Sequence, residues 1–289
     1  MRFDSLRNLS KRFDERGSLE IMPQSGIGKN ERVQTGNRSY GQVGKRCCSE
    51  ELRCMMKLIV DGKLAALAGV AAPAAVLSAL GQYKKKYTIP ADQQPPRGAY
   101  PGDDLLPDDE VMVSTMAVEI DAPPEKVWPH INQLGQNKAG FYSFQTFEHL
   151  AAFRIYNTYK VVDRWQDTKV GDWVFYGDQG VGHEIMLHEP GKYIVGCSDT
   201  RRPPRQQGAV AWLPHGCKRY AWTWGFFLEE LPGGRTRFVQ RNTVSMEVSN
   251  KLQMAIVVGM IWGWSSGVMQ TRMASVIKAI AEGKKFHHF

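Results

Sequence analysis

The fold is decided by YAWTWGFFLEELPGGRTRFVQR, residues Tyr220 to Arg241. A large apolar side chain stands at every second position, Tyr220, Trp222, Trp224, Phe226 and Leu228, with Ala221, Thr223, Gly225 and Phe227 between them. Successive side chains of an extended backbone leave opposite faces, so this period of two predicts a strand with one bulky face. Pro232, Gly233 and Gly234 supply the fixed and positive backbone angles of a tight connection, and Thr236 to Met246 returns as a second extended run. Together they predict a long antiparallel hairpin. Aromatics in such a strand ordinarily fill a core, and walling a ligand cavity is the alternative.

Outward from the hairpin, the same reasoning organises the rest of the chain. Val111 to Ile120 alternates and reads as a first strand. DAPPEKVWPHINQLG, from Asp121, then offers prolines and Glu125 at a helix start and Val127, Trp128, Ile131 and Leu134 at helical spacing, with Pro129 limiting the helix to a few turns. A second short helix is expected over Ser143 to Ala152, followed by strands at Trp173 to Tyr176, His183 to His188 and Tyr193 to Ser198. A long polar connection over 201–219 leads into the aromatic strand. The chain closes with a helix, Ser266 to Glu282, whose Met269, Met273, Val276, Ile277 and Ile280 form one apolar stripe.

With 289 residues, 43% hydrophobic and 23% charged, the composition is that of a globular protein with one sizeable core, which excludes a wholly disordered chain. The net charge of +8 is not spread evenly. Residues 1–89 hold 16 Lys and Arg against 8 Asp and Glu, whereas 90–283 hold 19 against 21. No basic stripe therefore crosses the predicted domain, and no nucleic-acid partner is expected. The cysteines, Cys47, Cys48, Cys54, Cys197 and Cys217, include no C-x-x-C pair, so neither a metal nor a cofactor is expected; a Cys197 to Cys217 bridge stays open.

Residues 1–54 are polar and read as a disordered basic tail. Residues 55–86 contain an uncharged run from Leu64 to Leu80, about the shortest that spans a bilayer as a helix. A membrane anchor is one reading of this run. A secretory signal starting at Met55 or Met56, giving a secreted product, is a second, and an Ala-rich helix packed on a soluble domain is a third. Lysines flank both ends, so the side of the membrane is not readable. Residues 87–110 are rich in Pro, Gly and acid and read as a solvated linker. The folded domain is expected over 111–283.

VEIDAPPEKVWPHINQLGQNKAGFYSFQTFEHL, RWQDTKVGD from Arg164, and FFLEELPGGRTRFVQR resemble motifs of the SRPBCC superfamily, the START-like or polyketide-cyclase-like helix-grip group. YPGDDLLPDD resembles the segment that one branch carries after a membrane-spanning helix, and supports the anchor reading. Arg164 stands where that branch has Pro, and KLQMAIVVGMIWGW, Lys251 to Trp264, is more apolar than its pattern. The resemblance implies an α+β fold in which an antiparallel sheet wraps around the C-terminal helix and leaves a cavity between them. It further implies binding of a small hydrophobic or amphipathic ligand, such as a lipid, isoprenoid or polyketide-type compound.

The candidate ligand-binding residues are Phe141, Tyr142, Glu148, Trp165, His183, Tyr220, Trp222, Trp224, Gln240 and Arg241. Phe141, Tyr142 and Trp165 lie in the family-like motifs, where bracing loops is the plain alternative. Gln240 and Arg241 alternate along the second strand of the hairpin, and whichever faces inward needs a partner, because a buried unsatisfied polar atom costs about 1 to 3 kcal/mol. An enzyme of the cyclase or dehydratase kind, drawing on His183, Glu184, Tyr220 or Arg241, is the second reading. In a regular strand His183 and His188 fall on opposite faces, and no nucleophile–base pair is present to name a catalytic residue. A partner-binding module that uses the apolar run Leu252 to Trp264 is the third reading.

Overall fold

A computed structural model describes residues 71–106, 110–150 and 152–287. The predicted tail over 1–54 and the first part of the apolar run, 64–70, lie outside the described residues. In chain order the elements are α1 (Ala71–Lys85), β1 (Glu110–Ile120), α2 (Pro124–Asn132), α3 (Gln145–Leu150), β2 (Trp173–Phe175), β3 (Gly182–Glu189), β4 (Tyr193–Asp199), β5 (Cys217–Leu231), β6 (Arg235–Val248), α4 (Lys251–Ile256), a π-helical segment (Val257–Ser266) and α5 (Gly267–Ala281).

The six strands form one antiparallel sheet in the order β1-β6-β5-β4-β3-β2. The aromatic comb lies in β5, and its hairpin closes on Gly233 and Gly234 at φ of 82° and 69°, angles that favour glycine. Cross-strand partners share a face. Phe226 opposite Gln240, Trp224 opposite Asn242 and Trp222 opposite Val244 therefore define the inner face, whereas Arg241 and Val239 point the other way. On the inner side, Met273, Val276 and Ile277 of α5 and Val127 and Ile131 of α2 pack against Val118, Ile120, Phe226 and Phe238 in one buried cluster. A six-stranded antiparallel sheet packed on the last helix in this way fits the α+β helix-grip fold. The far end of α5 is held by Glu282, whose Oε1 accepts from the Asp121 N–H at 2.9 Å.

The outer face is covered by residues 87–106, and here the expectation of a solvated linker fails. Ile89 N donates to Thr115 O, and Ala117 N to Tyr87 O, both at 2.9 Å, so the segment begins with an isolated antiparallel bridge to β1 at Thr88 and Met116. Leu106 is buried against Cys197 and Ala221, and Tyr100 and Leu105 pack on Val195, Phe227 and Val239. Gly102, at φ 88°, approaches so closely that a Cβ there would lie 2.8 Å from Val195 Cγ1. Of the acidic residues that suggested solvent, Asp103 is buried and paired with Arg241 at 2.6 Å. Arg241 also donates to Pro95 O, Pro96 O and Thr115 Oγ1 and lies over the Tyr100 ring, so one guanidinium fastens the strap.

Residues Ala71 to Leu80 of the apolar run form the first part of α1, and the last turn of α1 rests on α5. Lys84 Nζ donates to Gly263 O at 2.5 Å, and Thr271 Oγ1 to Lys84 O at 3.3 Å. Among the described residues no helix is long and apolar enough to cross a membrane. Cys197 and Cys217 are both free and buried, which closes the disulfide alternative.

Candidate functional site

The inner face of β3, β4 and β5 builds an aromatic chamber under the helices. Phe141, Tyr176, His183, Trp222 and Trp224 stand together, with neighbouring ring centroids between 5.2 and 6.3 Å apart. Ile131, Leu134, Val174, Ile185, Ile194 and Phe226 complete the walls. The void that remains is only about 10 Å³, room for roughly one water. A preformed guest-sized cavity was expected, and the structure corrects this: the comb's own indoles and Tyr176 fill the space.

At the chamber's centre the Tyr176 hydroxyl is hydrogen-bonded to His183 Nδ1. Glycine makes the space for this pair. Gly196 lies opposite the ring, and a Cβ there would sit 1.8 Å from His183 Cδ2. Burial pushes the His183 pKa down to about 3 and raises that of Tyr176 far above its usual value, so both are neutral near pH 7. The two histidines of β3 do not fall on opposite faces as expected. A register shift between Ile185 and Leu187 inserts one residue and returns His188, opposite Ile194, to the inner side. There it stacks near Trp128, with Nε2 3.2 Å from Asn132 Oδ1.

The cover of the chamber is unusual. Ten residues, Val257–Ser266, are wound as a π-helix rather than as the start of α5. Such segments are rare and concentrate at functional sites. Val257, Val258 and Trp262 pack on Tyr220, Trp222, Val244 and Met246, and Trp262 Nε1 donates to the Tyr220 hydroxyl. The apolar run Leu252 to Trp264 is thus divided. Val257 is buried under the sheet, while Leu252 and Ile256, one turn apart on α4, remain 71% and 48% exposed.

The sequence-derived candidates separate into three groups. Phe141, His183, Trp222 and Trp224 meet in the chamber, and Tyr220 lies next to it under Trp262. Gln240 faces inward and donates to Gln270 O of α5 at 3.2 Å. The remainder lie elsewhere. Tyr142, at φ 55° and fully buried, accepts from Gln133 Nε2 at 2.7 Å and braces the loop after α2. Trp165 packs on the main core from its 3₁₀ turn. Glu148 is buried, accepts from Ser143 Oγ and has its carboxyl pKa raised by desolvation. Arg241 is on the outer face, locked to Asp103, and is removed from the chamber by the strand's alternation. Sequence reasoning missed Tyr176, Gly196, Asn242, Trp262 and Gln270. An isolated glycine inside a strand signals close approach of another group, and Gly196 carried that signal.

Among the described residues no cluster of three or more His, Cys, Asp or Glu is placed to hold a metal ion. No family model matches the chain, and no curated protein matches it. Solved structures similar to it include CalU16 from Micromonospora echinospora, at 15% identity over 59% of this chain and 84% of that one, with a TM-score of 0.28. Another is truncated norcoclaurine synthase from Thalictrum flavum, at 10% identity over 62% and 99%, with a TM-score of 0.33. A third is Ara h 8.0201, at 14% identity over 57% and 99%, with a TM-score of 0.32. With scores this low, the fold rests on the strand order and register given above and not on these likenesses.

Proposed function

We infer that the domain is a START-like, SRPBCC-type binder that takes a small hydrophobic or amphipathic molecule between the inner face of the sheet and the last helix. The observation that carries this reading is the composition of the chamber: mostly apolar and aromatic walls with a few buried polar groups among them, His183 bonded to the Tyr176 hydroxyl, Asn132 and Thr168. Ligand sites are built in this way, with apolar area supplying affinity and a few polar groups fixing orientation. The chamber is closed in the present structure, so uptake requires the π-helical cover and the indoles of Trp222 and Trp224 to move aside. Catalysis by His183 is disfavoured in the closed state. An imidazole held near pKa 3 is a weak base at neutral pH, well below the range that suits general base catalysis.

Native mass spectrometry of the full chain tests the reading. A discrete apolar adduct, released by organic solvent and diminished in Trp222→Ala, is the expected result. If no adduct forms with extracted lipids or aromatic compounds, and Trp222→Ala changes neither uptake nor stability, the binding reading is wrong. Attachment to a membrane through Leu64 to Leu80 belongs to the same proposal. Retention of the full chain in the membrane fraction after a carbonate wash supports it, and complete release refutes it.

A further inference from the structure

Four polar atoms in the layer between the sheet and α5 have no hydrogen-bond partner among the described residues. They are Trp222 Nε1, Trp224 Nε1, Gln240 Oε1 and Asn242 Oδ1. An indole N–H only donates, and an amide oxygen only accepts. The set is therefore two donors and two acceptors, and the strand register interleaves them. Trp224 stands directly opposite Asn242, both on the inner face, with Gln240 two residues along the same strand. The amides are fixed by α5: Asn242 Nδ2 donates to Gln270 Oε1 at 2.8 Å, and Gln240 Nε2 donates to Gln270 O at 3.2 Å. Their nitrogens are thereby used and their oxygens left over. Gln270 Nε2 in turn donates to Ser266 Oγ, at the junction of the π segment and α5.

Buried groups of this kind are normally paired, and leaving them unpaired is costly. A hydrocarbon guest would satisfy none of them. A ketone or ether would answer only the indoles, and an ammonium only the amides. A hydroxyl both accepts and donates, and so answers one of each. We propose that the molecule bound in this chamber is an apolar ring compound bearing a hydroxyl group, which accepts from the Trp224 indole N–H and donates to Asn242 Oδ1. Trp222 Nε1 and Gln240 Oε1 offer a second such donor and acceptor. The inference rests on the binding reading above and specifies the ligand's polar chemistry.

The test uses three probes of one ring system, naphthalene, 2-methoxynaphthalene and 2-naphthol, titrated calorimetrically into the full chain. The expected order is 2-naphthol about tenfold tighter than naphthalene, with the methoxy compound between the two. In a ¹⁵N-labelled sample the Trp224 indole N–H resonance should move clearly further downfield with 2-naphthol than with naphthalene. Asn242→Leu should remove the advantage of 2-naphthol. Should that variant fail to fold, the indole resonance of the unsubstituted chain still decides the question. Binding of all three probes within about twofold, with the indole signal moved no further by 2-naphthol than by naphthalene, would overturn the hydroxyl proposal and leave the binding reading intact; water would then be the partner of these atoms. Failure of every probe to bind would count against both.

Discussion

Replacing the buried imidazole tests the physical picture of the chamber, because burial of His183 has a consequence for stability that can be worked out. Its pKa is lowered to about 3 in the folded chain, against about 6.5 when unfolded. Through this window the unfolded chain binds the proton and the folded chain does not. Stability contributed by the neutral imidazole is therefore full above about pH 7 and is lost as pH falls toward 3. At about 1.4 kcal/mol per pH unit, the whole window is worth about 5 kcal/mol, of which about 2 kcal/mol falls between pH 7 and pH 5. Burial also lowers the pKa of His130 and His188, which adds losses of the same sign, so the comparison must be a difference. Urea unfolding of the parent chain and of His183→Gln at pH 7 and pH 5 supplies it. The parent should lose about 2 kcal/mol more than the variant over that interval. Parallel losses in the two proteins, or an imidazole signal of His183 titrating near pH 6.5 in the folded state, would refute the reasoning.

Other perturbations follow from the same contacts. Gly196→Ala places a methyl against the His183 ring, so it should cost about 1 to 3 kcal/mol in denaturant unfolding and restore a near-normal titration to His183, whereas an unchanged midpoint would mean that the close approach is absent in solution. Arg241→Met leaves Asp103 buried without its counter-charge and should cost about 3 to 5 kcal/mol, with faster proteolysis within 87–106; a neutral result would show the strap to be loosely attached. Trp262→Phe deprives the buried Tyr220 hydroxyl of its donor and should cost about 1 to 3 kcal/mol, with faster amide exchange along Val257–Ser266; unaltered exchange would show that this bond does not hold the cover.

The strands and the gripped helix were legible in the sequence because their signals are local. Tyr220 to Leu228 alternate strictly, Gly233 and Gly234 mark the turn, and Met273, Val276 and Ile277 share one helical stripe. What escaped depends on partners far away in the chain. Asp103 reads as solvated until Arg241, 138 residues later, is brought to it. The inserted residue in β3 that turns His188 inward leaves no mark on an alternation read as regular. The pairing of Tyr176 with His183 needs β2 and β3 to come into register, with Gly196 beneath the ring. Chamber volume is the least local quantity of all, since it depends on how the rings of Phe141, Tyr176, Trp222 and Trp224 rest on one another. The same alternation of large side chains describes a wall and a plug equally well.

A crystal structure of the full chain soaked with a ring compound that it binds puts the central claim to its most direct test. The account predicts density for the compound between β4, β5 and β6 and the π segment leading into α5, with the Trp224 ring displaced from Phe141. An inner layer unmoved from its present packing, with the compound lodged on the outer strap or on the exposed Leu252 and Ile256 of α4, would contradict it.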